Sequence, residues 1–150
     1  MTSEFMRNLL SKDEKITVEY KSCQYGIQED VYETVCSFSN RYGGYIIMGA
    51  EDDGTPIGVK QNMVKDMKRN FVNQLNNPDK MSPTLYLSIE DFEYEGKILL
   101  WVYVPPTATV EKCGNRIYDR NEDGDMDITD SPIQLQNMYN RKSTTYAEHK

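Results

Sequence analysis

Residues 19–59 constrain this chain more than any other part of it. The order is Glu19-Tyr20-Lys21, an amphipathic run over 27–42, Gly43-Gly44, the apolar run Tyr45-Ile46-Ile47-Met48-Gly49-Ala50, then Glu51-Asp52-Asp53-Gly54 and Ile57-Gly58. In physical terms this reads as strand, helix, glycine turn, buried strand and acidic turn. Paired glycines directly after a helix form a C-cap, because the left-handed conformation costs least without a Cβ. The continuous apolar run is that of a strand covered on both faces. Its exit delivers two aspartates and a glycine, a turn-forming combination through Asx hydrogen bonds. Carboxylates are thereby placed at the end of a core strand, where a site can be built.

The flanking segments extend the same logic. Phe5, Met6, Leu9 and Leu10 form one apolar stripe, which predicts a short helix over 3–12. Residues 16–22 alternate, with Ile16, Val18 and Tyr20 on one face and Thr17, Glu19 and Lys21 on the other. That pattern predicts a half-exposed strand with Glu19 and Lys21 pointing out of the core. A returning strand is expected within 54–59. A second amphipathic helix is expected over 63–75, with Lys60, Lys65, Lys68 and Arg69 on its outer face. Leu85, Leu87 and Ile89 alternate as a strand, Tyr94-Glu95-Gly96-Lys97 reads as a hairpin turn, and 98–104 is a strongly apolar strand ended by Pro105-Pro106. A short strand over 116–120, an acidic loop over 121–130 and a closing helix over 133–141 complete the pattern. The expected fold is a single α/β domain over 1–150, an α+β mixed sheet with a βαβ-like core, a hairpin and a C-terminal helix, its motif core at 16–105.

Composition limits the function. The chain has 150 residues, 38% of them hydrophobic, and no apolar run long enough to span a membrane. Three separated cysteines fit neither a metal spacing nor a disulfide framework, so a cytoplasmic protein without a membrane partner is predicted. The net charge of −7 opposes tight, general nucleic-acid binding, so any basic face has to be local. No G-x-x-x-x-G-K-[ST] is present and no lysine follows Gly43-Gly44, so ATP is not an expected cofactor.

Glu19-Tyr20-Lys21, Ser37-Phe38-Ser39-Asn40, Gly43-Gly44, Met48-Gly49-Ala50 and Asp52-Asp53-Gly54 together resemble the Schlafen-AlbA family (divergent AAA, type 4). The family pattern is E-F-K, A-F-A-N, G-G, an apolar strand ending I-G-V, then D-D-G and I-x-G. Tyr118-Asp119-Arg120 is similar, more loosely, to its Y-x-R strand. The resemblance implies a DNA- or other nucleic-acid-binding domain of a bacterial transcriptional regulator, acting as a homodimer or beside a second domain. Lys21, Arg41, Lys65, Lys68, Arg69 and Arg120 are then the expected phosphate partners, and Gly43, Gly44, Gly49, Asp53 and Gly54 the motif residues. Schlafen-type members that cleave RNA carry acidic residues that fall here on Glu14, Glu19 and Asp52. The alternative is therefore an RNase dependent on Mg²⁺ or Mn²⁺, with Lys21 offsetting phosphate charge. A protein-interaction module is a third expectation, suited to the acidic total and to eleven tyrosines. Finally, residues 119–130 match the spacing of a calcium loop. Asp119, Asn121, Asp123, Asp125, Asp127 and Asp130 would be its ligands and Gly124 its sharp turn.

Overall fold

The computed structural model describes residues 1–11 and 16–148. Its centre is a four-stranded sheet in the order β1 (Val18–Lys21), β2 (Gly44–Met48), β5 (Lys97–Val104), β4 (Glu90–Tyr94). β1 and β2 are parallel, while β5 runs antiparallel to both β2 and β4. Two parallel neighbours need a crossover, and α2 (Asp30–Asn40) supplies it. The expected α+β mixed sheet with a βαβ core is therefore the observed architecture.

Each face of the sheet is covered differently. Ile46, Met48, Leu100, Val102 and Val104 pack against α2 and α3 (Val64–Leu75) through Val35, Phe38, Met67 and Phe71. On the opposite face, α1 (Ser3–Leu10) brings Met6, Leu9 and Leu10 onto Val18, Tyr20, Ile47 and Leu99. The Tyr20 hydroxyl donates to the Leu9 carbonyl, tying α1 to β1. A third apolar cluster, Ile117, Ile128 and Met138, seats α4 (Pro132–Glu148) against the hairpin of β7 (Tyr118–Asn121) and β8 (Gly124–Asp127). A two-residue ladder joins β3 (Met81–Ser82) to β6 (Lys112–Cys113).

The glycine pair after α2 has two separate jobs. Gly43, at φ 75°, takes the left-handed cap position, and its amide donates to the Phe38 carbonyl at 2.9 Å. Gly44 already belongs to β2. A Cβ there would lie 2.6 Å from the Thr17 carbonyl oxygen and 2.8 Å from the Phe38 ring, so only glycine lets β2 pair this closely with the start of β1.

Four expectations change. Glu19 and Lys21 do share a face, but that face is covered by α2 and the β7–β8 hairpin, and Glu19 is buried. The strand expected at 85–89 lies instead at 90–94. Glu95 and Gly96 both adopt positive φ, as a two-residue hairpin requires, and Tyr94 opposite Lys97 then sets the register out to Glu90 opposite Trp101. Leu85 and Leu87 still pack on the core without joining the ladder. Residues 54–59 form a single bridge, Ala50 with Pro56, because proline has no amide to extend it. The acidic stretch after Tyr118 is a β-hairpin turning at Glu122-Asp123, not a loop.

Candidate functional site

β1 and β2 both end at one edge of the sheet, and α2 begins there. Crevices outside the carboxyl ends of parallel strands are where open α/β sheets bind ligands. An open cleft of about 670 Å³ lies at this position, lined by Glu19, Lys21, Asp30, Glu51, Asp52 and Asp53 together with Tyr20, Ser22, Gln28 and Ala50. Five carboxylates face one ammonium. Lys21 Nζ donates to Asp30 at 2.9 Å and lies 3.7 Å from Glu19. Burial works to lower the Lys21 pKa, but the Asp30 bond and the Glu19 charge outweigh it and hold the ammonium above its ordinary value. Asp53 is lowered by its hydrogen bond from Thr55.

Behind Glu19 stands a buried polar network. The Arg120 side chain is 1% exposed, with its guanidinium 4.7 Å from the Phe38 ring centroid. It reaches Asp125 at 2.9 Å, Glu19 at 3.5 Å and the Val18 carbonyl at 3.3 Å. Asp125 accepts from Ser37 Oγ at 2.5 Å and Thr34 Oγ1 at 2.7 Å. One arginine thus locks β7–β8 onto α2 and fixes the inner wall of the cleft. Two small hydroxyls on the buried side of α2 were the sequence signal for a buried acceptor.

The predicted site residues separate on this frame. Glu19, Lys21 and Asp52 share the cleft, and Glu14 lies outside the described residues. Arg120 is a correction: a guanidinium buried between two carboxylates and an aromatic ring does not reach a phosphate outside. Lys65 and Arg69 are exposed on α3, Arg69 pairing with Asp66 at 2.6 Å, while Lys68 pairs with Asp91. Arg41 holds Asp119 through two bonds, at 3.0 and 2.7 Å. Arg141, which the sequence reading missed, lies 3.6 Å from the same carboxylate and donates to the Asn40 carbonyl at 2.8 Å. Burial, and then the Arg41 charge, lower the Arg141 pKa. Two guanidiniums around one carboxylate leave this corner net positive.

Most of the expected calcium ligands are engaged by arginines. Asp119 serves Arg41, Asp125 serves Arg120, and Asp127 and Asp130 serve Arg116 at 2.7 and 3.1 Å. The Asn121 side-chain Oδ1 accepts from the Asp123 amide, leaving Asp123 at the hairpin turn. Asp119 and Asn121 share one face of the hairpin, whereas Asp125 and Asp127, opposite Arg120 and Tyr118, share the other, so the set cannot converge as a loop's ligands do. Among the described residues no three His, Cys, Asp or Glu side chains gather to hold a metal ion, in the hairpin or in the cleft. No described helix is long and apolar enough to cross a membrane.

A mixed-sheet α+β domain with an acidic crevice at the ends of its parallel strands is the class this geometry defines. The model of the Schlafen, AlbA_2 family matches residues 14–129, and the chain belongs to that family. Among solved structures it is similar to the N-terminal domain of the "Putative ATP-dependent DNA Helicase RecG-related Protein" from Nitrosomonas europaea. Identity there is 26%, TM-score 0.56, and the match covers 69% of this chain and 72% of that one. The DIP2311 protein from Corynebacterium diphtheriae shares the fold at 17% identity and TM-score 0.58, over 81% of this chain and 25% of that one. Comparison with curated proteins finds no match.

Proposed function

We propose that this domain binds nucleic acid, as part of a bacterial transcriptional regulator, working as a homodimer or beside a second domain. The observation that carries the reading is the family membership together with 26% identity to the N-terminal domain of a helicase-related protein. Surface cations, Lys60, Lys65 and Arg69 exposed and Lys68, Arg41 and Arg141 half-buried, support it in two groups. One is the α3 face with Lys60, Lys65, Lys68 and Arg69; the other is the Arg41–Arg141 corner. Both are small patches on a chain of net charge −7, so affinity rests on a few phosphate contacts. Binding is then weak and lost steeply with salt. Fluorescence anisotropy with labelled DNA and RNA, titrated from low to physiological salt, tests this. Charge reversal at Lys65 and Arg69, or at Arg41, is expected to weaken binding and flatten the salt slope by about one per contact removed. Tight binding indifferent to salt would refute it.

A second reading, phosphodiester cleavage, is favoured by one observation: Glu19, Lys21 and Asp52 line the same cleft. Substrate loss with Mn²⁺ that disappears in chelator, in Glu19→Ala and in Asp52→Ala would establish it. Intact substrate under all of these conditions would remove it.

A further inference from the structure

The half of the sheet that α1 leaves uncovered is aromatic. Alternation along β5 puts Leu99, Trp101 and Tyr103 on the α1 side, and Tyr45 of β2 stands directly opposite Tyr103. The Tyr45 ring centroid lies 5.0 Å from Tyr103, 6.2 Å from Trp101 and 5.6 Å from Phe5 of α1. Phe5 and Tyr103 are each 43% exposed, and Tyr45 and Trp101 are half-buried. The rings brace one another, so their outer faces are held in place before any ligand arrives. A shallow pocket of about 260 Å³ opens beside them, lined by Thr2, Phe5, Tyr45 and Trp101 with Met1.

The charge at one end of this row identifies its occupant. β2 enters the sheet beside Tyr103, and the chain arrives there from Arg41 and Tyr42. Tyr42 is 60% exposed, with the Arg41 guanidinium 5.8 Å from its ring centroid, and Arg141 adds the second positive charge around Asp119. The rings lie on the α1 side of the sheet and the cationic corner on the α2 side, at the strand end where the chain enters β2, an arrangement that suits a polymer alternating flat apolar rings with anions. Resting on the nucleic-acid reading above, we infer that the Phe5–Tyr45–Trp101–Tyr103 face is a stacking platform for unpaired bases of a single strand, whose phosphates meet the Arg41–Arg141 corner. A duplex hides its base faces and has no access to such a platform, so the preferred ligand is single-stranded.

Trp101 is the single tryptophan of the chain, so its emission reports directly on the platform. The experiment is a low-salt titration of the whole chain with an unstructured pyrimidine oligonucleotide and with a blunt duplex of equal length. Trp101 emission and the anisotropy of a label on the nucleic acid are read together. Saturable quenching by the single strand and not by the duplex is expected. Affinity should fall about tenfold in Tyr103→Ala and in Phe5→Ala, both at exposed positions, with Tyr103→Trp restoring binding. Arg41→Ala should weaken binding while Trp101 is still quenched at saturation. A strand that binds by anisotropy without changing Trp101, and is lost on charge reversal at Lys65 and Arg69, overturns the platform and leaves nucleic-acid binding standing. Equal binding of duplex and single strand also overturns it. With no nucleic acid bound at low salt, both readings fail. Emission that instead changes with protein concentration alone, alongside self-association in sedimentation, replaces the platform with a protein interface.

Discussion

Glu111 is the side chain whose placement most directly opposes its chemistry. It is fully buried, and neither carboxyl oxygen has a hydrogen-bond partner among the described residues. Its backbone is held fast, the amide donating to Asn40 Oδ1 at 2.8 Å and the carbonyl accepting from Asn40 Nδ2 at 2.9 Å. The clamp fixes the backbone from which the buried side chain extends. Burial lifts its pKa from 4.5 to about 7, against the pull of the Lys142 ammonium. The unfolded chain releases this proton near 4.5 and the folded chain keeps it to about 7. The folded state therefore binds the extra proton in that window, and stability falls as pH rises through it. A displacement of this size corresponds to about 3 kcal/mol.

Glu111→Gln keeps the shape and removes the titration. Part of the gain is returned, because Lys142 then loses a neighbouring negative charge. Burial already lowers that lysine to about 8, although its ammonium donates to the carbonyls of Ser39, Thr107 and Thr109. The net expectation at pH 8 is a variant more stable by about 1–2 kcal/mol, or a melting temperature higher by about 3–6 °C for a chain of this length. At about pH 4.5 the two proteins should melt together, since both then carry a neutral group at this position. Thermal unfolding followed by circular dichroism across this range, read as variant minus parent, isolates Glu111 from every other titrating group. A difference that is flat with pH, or a variant less stable at pH 8, would refute the reasoning. The latter would mean the carboxylate is charged and paired in the folded protein.

Two further outcomes follow from the buried network and the hairpin. Asp125→Ala should destabilise the fold by about 3 kcal/mol in urea denaturation, because it removes the nearer of the two carboxylates that face buried Arg120 and the shortest acceptor of Ser37 and Thr34. A change below about 1 kcal/mol would mean that Glu19 and the Val18 carbonyl suffice to hold Arg120. Millimolar calcium should leave the melting temperature within about one degree, since the matching oxygens are scattered over a two-stranded ladder; a rise that saturates would overturn that account.

What the sequence disclosed and what it withheld divide along physical lines. Apolar periodicity placed α2, β2, α3 and β5, since burying a stripe or a strand leaves a direct trace in the residue pattern. The Glu95-Gly96 hairpin was legible for the same local reason, because positive φ needs particular residues. The partners of charged residues were not legible. Arg120 looks the same in sequence whether it lies on a surface or between Glu19 and Asp125, more than a hundred residues from the former. Asp119 to Asp130 carry a calcium spacing and a β-hairpin pattern at once, and only pairing across the ladder decides between them. The cleft residues Glu19 and Asp52 were legible as motif positions, while Asp30 joins them only once α2 has folded back.

β2 gives the domain a polarity that bears on both functional readings. At its start the chain passes Arg41 and Tyr42 and meets Tyr103; at its end it delivers Glu51 and Asp52 to the cleft. A five-residue strand separates these ends by about 15 Å, beyond the screening length of salt at physiological strength. The acidic cleft therefore does not cancel the cationic corner in solution, and a net charge of −7 is compatible with a local anion-binding end. The same separation lets Tyr103 and Asp52 be varied independently, whereas Arg41 and Glu19 stay linked through Asp119 and Arg120. Loss of binding confined to one of the two independent variants, with the other unaffected, assigns the function to one end of this strand.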